Sequence, residues 1–147
     1  MVFPSTMQIS SMNESHLPEV ARLSDQLGYP VSHINLLRRY RKIISSDSHT
    51  LLVYEEDKNI LGWIHVECVE DLIEENKAEI KALIVEENSR GSGIGKALLE
   101  AAEKWAKTYQ LHTIYLNCNT LRERTHKFYQ REGYVNYKTS LFFEKKI

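Results

Sequence analysis

The 147 residues amount to about one domain, and 42% apolar against 27% charged residues suits a folded globule rather than a disordered chain. Nineteen basic and twenty acidic residues give a net charge of −1, which argues against a general nucleic-acid binder, since that affinity rests on many phosphate contacts. No apolar run nears the ~20 residues of a membrane helix, Met1-Val2-Phe3-Pro4-Ser5 lacks a signal-peptide pattern, and Cys68 and Cys118 form neither a disulfide scaffold nor a C-x-x-C pair, so a single cytoplasmic domain over 1–147 without a metal is expected.

Met7 to Ser11 alternates weakly and predicts a first strand. Asn13 or Ser15 can cap a helix from about residue 16, with Leu17, Val20, Ala21 and Leu27 on one face, and Gly28-Tyr29-Pro30 ends it. Ser32 can cap a second helix, in which Leu36, Leu37, Tyr40, Ile43 and Ile44 repeat at helical spacing. Thr50 to Tyr54 and Ile60 to Cys68 read as strands around Glu55-Glu56-Asp57-Lys58-Asn59, a hairpin. An acidic connection over 70–75 leads to a strand from about Ala78 to Val85.

Gly91, Gly93 and Gly95 follow that strand, and an amphipathic helix follows them. Ile94, Ala97, Leu98, Ala101, Ala102 and Trp105 form its apolar stripe, with Leu99 outside the stripe, either meeting a neighbouring element or exposed. Thr113 to Cys118 predicts a buried strand, and Arg122 to Arg131 a short helix ended by Gly133. Tyr134 to Tyr137 and Leu141 to Lys145 read as a closing pair of strands. The order is β-α-α-β-β-β-α-β-α-β-β. Its middle is a βαβ unit, which makes the strands near 78–85 and 113–118 parallel with a right-handed crossover.

The glycine loop is the informative segment. Glycines let backbone N–H groups approach a ligand, and the helix start adds unpaired donors and roughly +0.5 charge. Arg90 and Lys96 add to an anion site suited to phosphate. The nucleoside-triphosphate loop fails, because its first glycine falls on Arg90 and its hydroxyl on Ala97. The dinucleotide fingerprint fails too, because its third glycine falls on Lys96 or Leu98.

Arg90-x-x-Gly93-x-Gly95, after a strand ending in Leu83-Ile84-Val85, resembles the acetyl-CoA loop of the GNAT superfamily of N-acetyltransferases. Gly62 lies where the family's third strand often carries one. Phe128-Tyr129-x-x-x-Gly133-Tyr134 is similar to its F-Y-x-x-x-G-[FY] signature, and the order of elements matches along the chain. The resemblance implies an α/β fold. Its mostly antiparallel sheet splays at the parallel βαβ unit to hold acetyl-CoA, with helices on both faces. It implies that the backbone of Leu83, Ile84 and Val85 bonds the pantetheine arm. It places the pyrophosphate on Arg90, Gly91, Ser92, Gly93, Ile94, Gly95 and Lys96. Asn119, at the end of the next strand, either touches the cofactor or makes a turn. Many relatives carry Asn where this chain has Arg122.

Acetylation requires a neutral amine, and at pH 7 only about one in 2,500 lysine-like amines is neutral, ~4.6 kcal/mol of barrier unless a base helps. Glu79 is the candidate base, similar in place to the glutamate of the histone-acetyltransferase branch, with ordered water as the alternative. A solvated carboxylate paired with Lys81 is the structural reading of the same residue. Tyr129 is the candidate acid for the leaving thiolate. His65 and His126 can reach the site or serve structure alone. The expectation is an acetyl-CoA-dependent N-acetyltransferase acting on an amine acceptor by direct attack, with neither nucleic acid nor membrane as partner. A non-catalytic acyl-CoA-binding regulatory module is the rival. Relatives are often homodimers, so a homodimer is admitted.

Overall fold

A computed structural model of the chain describes residues 7–147. The reading of the first five residues lies outside that range. The chain forms two compact units, one ending at Leu116 and the other Asn117–Ile147.

In the first unit, β1 (Met7–Ser11), β2 (His49–Glu56), β3 (Asn59–Val69), β4 (Lys77–Val85) and β5 (Ile114–Tyr115) form one sheet in chain order. The pairs are antiparallel up to β4, and β4–β5 is parallel. The β2–β3 turn has φ +48° at Asp57 and +69° at Lys58, the left-handed pair that fits the twist of a two-residue hairpin. Helices α1 (Leu17–Gln26), α2 (His33–Ile44) and α3 (Ile94–Thr108) complete the unit. Asn13 caps a single 3-10 turn ahead of α1, and Ser32 Oγ accepts from Asn35 N at 3.2 Å to cap α2. Both caps satisfy donors that a helix start leaves open.

The two faces of the sheet are covered differently. Leu17, Val20 and Leu23 of α1 and Tyr40 of α2 are buried with Val53 and Ile84, and Trp63 packs against them. Gly62, the neighbour of Trp63, points to the other face, where it meets Leu98 and Ile94 of α3. Leu99 is 1% exposed, so it belongs to the buried face of α3 rather than lying outside it. Each fully buried leucine or isoleucine in these layers stabilises by roughly 1.5–3 kcal/mol.

Two irregularities shift the registers. Leu61 is an extra residue on β3, because Tyr54 pairs with Gly62 and Glu55 with Ile60. Lys81 is an extra residue on β4, because His65 pairs with Ala82 and Val66 with Ile80. Each is a bulge that re-aims side chains across the pleat. The predicted strand at 113–118 is shorter than expected. Its ladder to β4 covers Ala78↔Ile114 and Glu79↔Tyr115 only.

The second unit contains α4 (Glu123–Arg131). Gly133, at φ +93°, ends it: Tyr134 N donates to Tyr129 O at 2.9 Å and Gly133 N to Gln130 O at 3.1 Å. The closing strands expected at Tyr134 to Tyr137 and Leu141 to Lys145 are not formed. Leu141, Phe142 and Phe143 are exposed. Aromatic and β-branched composition favours a strand only where another edge supplies its hydrogen bonds, and none is paired to these residues.

Candidate active site

The end of β4 is fixed from α1. Glu86 accepts from Arg22 Nη1 at 2.8 Å and from Gln26 Nε2 at 3.0 Å, and Glu87 N donates to Gln26 Oε1 at 3.2 Å. The Gln26 amide, then the Arg22 guanidinium, hold the Glu86 carboxyl below the usual carboxylate range. Past this anchor, a 3-10 turn at Glu87–Ser89 leads into Arg90-Gly91-Ser92-Gly93. The Ser92 hydroxyl donates to Ser89 O and closes the turn.

Gly91 and Gly93 have φ +83° and +89°, conformations that L side chains rarely adopt. A β-carbon on either would meet nothing within 4 Å, so open space lies beside both. Gly93 is the N-cap of α3 and lacks a capping side chain. Its carbonyl takes the first helical bond, from Ala97 N at 3.0 Å. The N–H groups of Ile94, Gly95 and Lys96 precede that bond and point out of the helix toward the loop. Open donors, a positive helix end and free space beside the loop are what an anion site requires. Leu83, Ile84 and Val85 lie just upstream on β4, beyond the last pair with β5. Along that stretch alternate N–H and C=O groups face the β5 side and can bond an extended ligand arm.

Across the sheet, the registers align His49, Glu67, Glu79 and Tyr115 in one row over β2, β3, β4 and β5. Residues in register share a face, so the row lies on the Trp63 side. Lys81 Nζ stands 3.1 Å from Glu79 Oε1 and 3.4 Å from Glu67 Oε2. The Glu79 hydrogen bond is the largest cause that raises the Lys81 pKa, so its ammonium persists. Glu79 is therefore ion-paired with Lys81, and its side chain is 17% exposed. His65, diagonal to His49 on the same face, bonds it at 2.9 Å. The sequence singled out Glu79 and His65 but not His49, Glu67 or Tyr115. Only the ladder registers show that row.

The second unit holds the remaining nominated residues. Tyr129 packs edge-on against Phe128 and Tyr134, with centroids 5.1 and 5.6 Å away. Burial, then Cys118, raises the Tyr129 pKa well above its ordinary value. Asn119 Oδ1 accepts from Leu121 N at 2.8 Å, so its side chain makes a turn ahead of α4. His126 Nε2 donates to Asn119 O at 2.7 Å, so that ring supports the same turn. Burial raises both cysteine thiols, Cys68 further through Glu70 and Glu67, and Arg122 only partly offsets this at Cys118. Neither thiol has the depressed pKa of an activated nucleophile.

The model of the acetyltransferase (GNAT) family matches residues 17–134. Among solved structures, the chain is similar to the aminoglycoside N-acetyltransferase AAC(6')-Iy in complex with CoA, at 18% identity and TM-score 0.90, over 100% of this chain and 99% of that one. It is similar to a GNAT family acetyltransferase of Staphylococcus aureus at 26% identity and TM-score 0.78, over 95% and 98%. It is also similar to glucosamine-6-phosphate N-acetyltransferase from Arabidopsis thaliana at 22% identity and TM-score 0.78, over 96% and 98%. No curated protein sequence matches the chain.

Proposed function

Because this chain belongs to the acetyltransferase (GNAT) family, we propose that it moves the acetyl group of acetyl-CoA to a primary amine by direct attack, without an acyl-enzyme. The observation that carries this reading is the cradle at Gly91 to Lys96, directly after a strand whose last residues run beyond the β5 ladder. We take residues 1–147 as one acetyltransferase domain, since the family match spans both compact units.

Acetyl-CoA supplies the acyl group as a thioester. On this reading Arg90, the N–H groups of Gly91 to Lys96 and the Ser92 and Lys96 side chains hold the pyrophosphate. The backbone of Leu83, Ile84 and Val85 holds the pantetheine arm. Glu79, directly or through water, takes the proton that the ammonium must lose. Lys81 fixes the Glu79 carboxylate beside Glu67. Tyr129, kept protonated by its burial, gives a proton to the departing thiolate. The raised pKa of both cysteine thiols favours direct attack over a thiol-bound intermediate. The work is placed in the cytoplasm, with neither membrane nor nucleic acid as partner, and a homodimer is compatible with it. Among the described residues no helix is long and apolar enough to cross a membrane.

Release of free CoA thiol from acetyl-CoA tests the reading. The amine panel includes aminoglycosides and glucosamine 6-phosphate, on which structural neighbours act, together with polyamines and lysine peptides. Amine-dependent release, lost in Glu79→Gln, is expected. Tight acetyl-CoA binding without release across the panel would favour the non-catalytic acyl-CoA-binding module.

A further inference from the structure

His49 Nδ1 and His65 Nε2 are 2.9 Å apart, and the rings lie 5.2 Å between centroids at a tilt of 35°. Two imidazolium rings cannot form that bond, because both nitrogens would be donors, so at least one ring is neutral. The surroundings select His65. Burial lowers its pKa most, His49 next and Lys81 after that, against the opposing pull of Glu67, to about 4. At pH 7 roughly one His65 ring in a thousand is then protonated.

A neutral hydrogen-bonded pair has one bridging N–H and a free ring nitrogen at each end. A proton taken up at His65 Nδ1 is matched by one passed from His65 Nε2 to His49 Nδ1 and one released from His49 Nε2. A ring that holds a proton only briefly suits such transfer better than one that keeps it. The charged groups facing the pair are Glu67 from β3 and Lys81 from β4, with Glu79 joined to Glu67 through the Lys81 ammonium. The row thus leads from Glu79 to Glu67, which stands two residues beyond His65 on β3 and opposite His49. His49 begins β2 and is half-buried.

We propose that His49 and His65 form a proton relay that carries away from the carboxylate pair one of the two protons an ammonium acceptor loses on acetylation. This rests on the acetyl-transfer reading above. The step balances. The ammonium gives one proton to Glu79 and becomes the free amine. The amine nitrogen bonds to the acetyl carbon, and the carbon–sulfur bond breaks with its electron pair on sulfur. The second proton of the nitrogen ends on that sulfur; the first passes from Glu79 to Lys81 Nζ as Lys81 gives one of its own protons to Glu67, and leaves Glu67 through the two rings. Neither histidine touches the reacting atoms, so both are relay residues rather than catalytic ones.

The test uses the full chain, acetyl-CoA and the fastest acceptor of the panel, with His49→Gln, His65→Gln and the double variant. Each single variant is expected to lower kcat about 10-fold or more, and the double variant to be no worse than the poorer single, because the rings act as a unit. Imidazole added at millimolar concentration should restore several-fold of the loss, and the acetyl-CoA Kd should stay within about twofold. Unchanged kcat, or a loss that imidazole leaves untouched, would overturn the relay and leave the pair a structural cross-strand contact. Those results come with an active unsubstituted chain, so acetyl transfer itself stands. If the unsubstituted chain acetylates nothing in the panel, the acetyl-transfer reading fails and the relay fails with it.

Discussion

A β-carbon on Gly62 would stand 3.0 Å from Leu98 Cδ1 and 3.0 Å from the carbonyl oxygen of Ile84. Leu98 can shift, but the carbonyl belongs to the β4 backbone and cannot. Gly62 is therefore the contact that lets α3 lie close on β3 and β4, which sets the anion cradle at the start of that helix. Gly62→Ala should cost about 1–3 kcal/mol through overpacking. In a chain of this size the melting temperature should fall on the order of 3–10 °C. A thermal melt with an unchanged midpoint would show that α3 yields without strain.

The cradle makes a ligand-specific prediction. Acetyl-CoA at ~100 times its Kd should stabilise the fold by about 2.7 kcal/mol, a rise on the order of 5–11 °C, with ATP and NAD much weaker at equal concentration. Gly93→Val should remove that rise. Its φ of +89° is strained for a β-branched residue, and the added methyls enter space that is open beside the loop. The variant should still fold, since its β-carbon meets nothing within 4 Å. A folded Gly93→Val protein that keeps the full acetyl-CoA shift would rule out the loop as the phosphate site.

Tyr129→Phe keeps the ring between Phe128 and Tyr134 and removes only the hydroxyl. A thiolate already leaves fairly well, so kcat should fall about 30–300-fold, near the low end of general-acid effects. The acetyl-CoA Kd should change by less than about tenfold. Because burial raises the Tyr129 pKa, the neutral phenol persists above pH 10, where the unfolded chain ionises. Its contribution to stability is complete below that pH and is lost as pH rises further. Absorbance titration of the phenolates should therefore be the same for Tyr129→Phe and the parent up to about pH 10. An unchanged kcat on the true acceptor, with chemistry limiting the rate, would make Tyr129 a packing residue.

His65 links stability to acid. Its pKa of about 4 lies below the unfolded value near 6.5, so the unfolded chain binds the proton first as pH falls. The stability it contributes is complete above about pH 6.5 and is lost as pH falls toward 4. Discounted for solvent screening, the loss is about 1–2 kcal/mol. Urea unfolding at pH 7 and pH 4.5 should show His65→Gln losing less stability over that interval than the parent. Equal losses in the two proteins would place the acid sensitivity elsewhere.

Local sequence determined most elements, because the signals that start and stop them lie within a few residues. Asn13 and Ser32 cap as their hydroxyl or amide oxygens allow, and Gly133 takes the left-handed position that ends α4. Gly91 and Gly93 fall in a strand-to-helix turn at positive φ, the conformation that their spacing between strand and helix called for. Between burial and exposure the stripe left Leu99 open, and it is buried, since a helix packed on a sheet buries a wider arc than its strongest stripe. The closing strands were not legible, because a strand exists only where a second edge pairs with it, and composition does not name that edge.

The row of His49, Glu67, Glu79 and Tyr115 was decided by tertiary structure alone. A two-residue turn at Asp57-Lys58 without a bulge would set Thr50 opposite His65; the extra residue Leu61 sets Leu51 there and His49 opposite Glu67. The extra residue Lys81 lets Glu79 stand opposite Glu67 while Ala82 stands opposite His65. A single inserted residue moves every later side chain of a strand to the other face, since the pleat repeats every two residues. Sequence supplied the histidines, carboxylates and lysine. Two bulges in the ladders, which no spacing in the sequence announced, decided which of them meet.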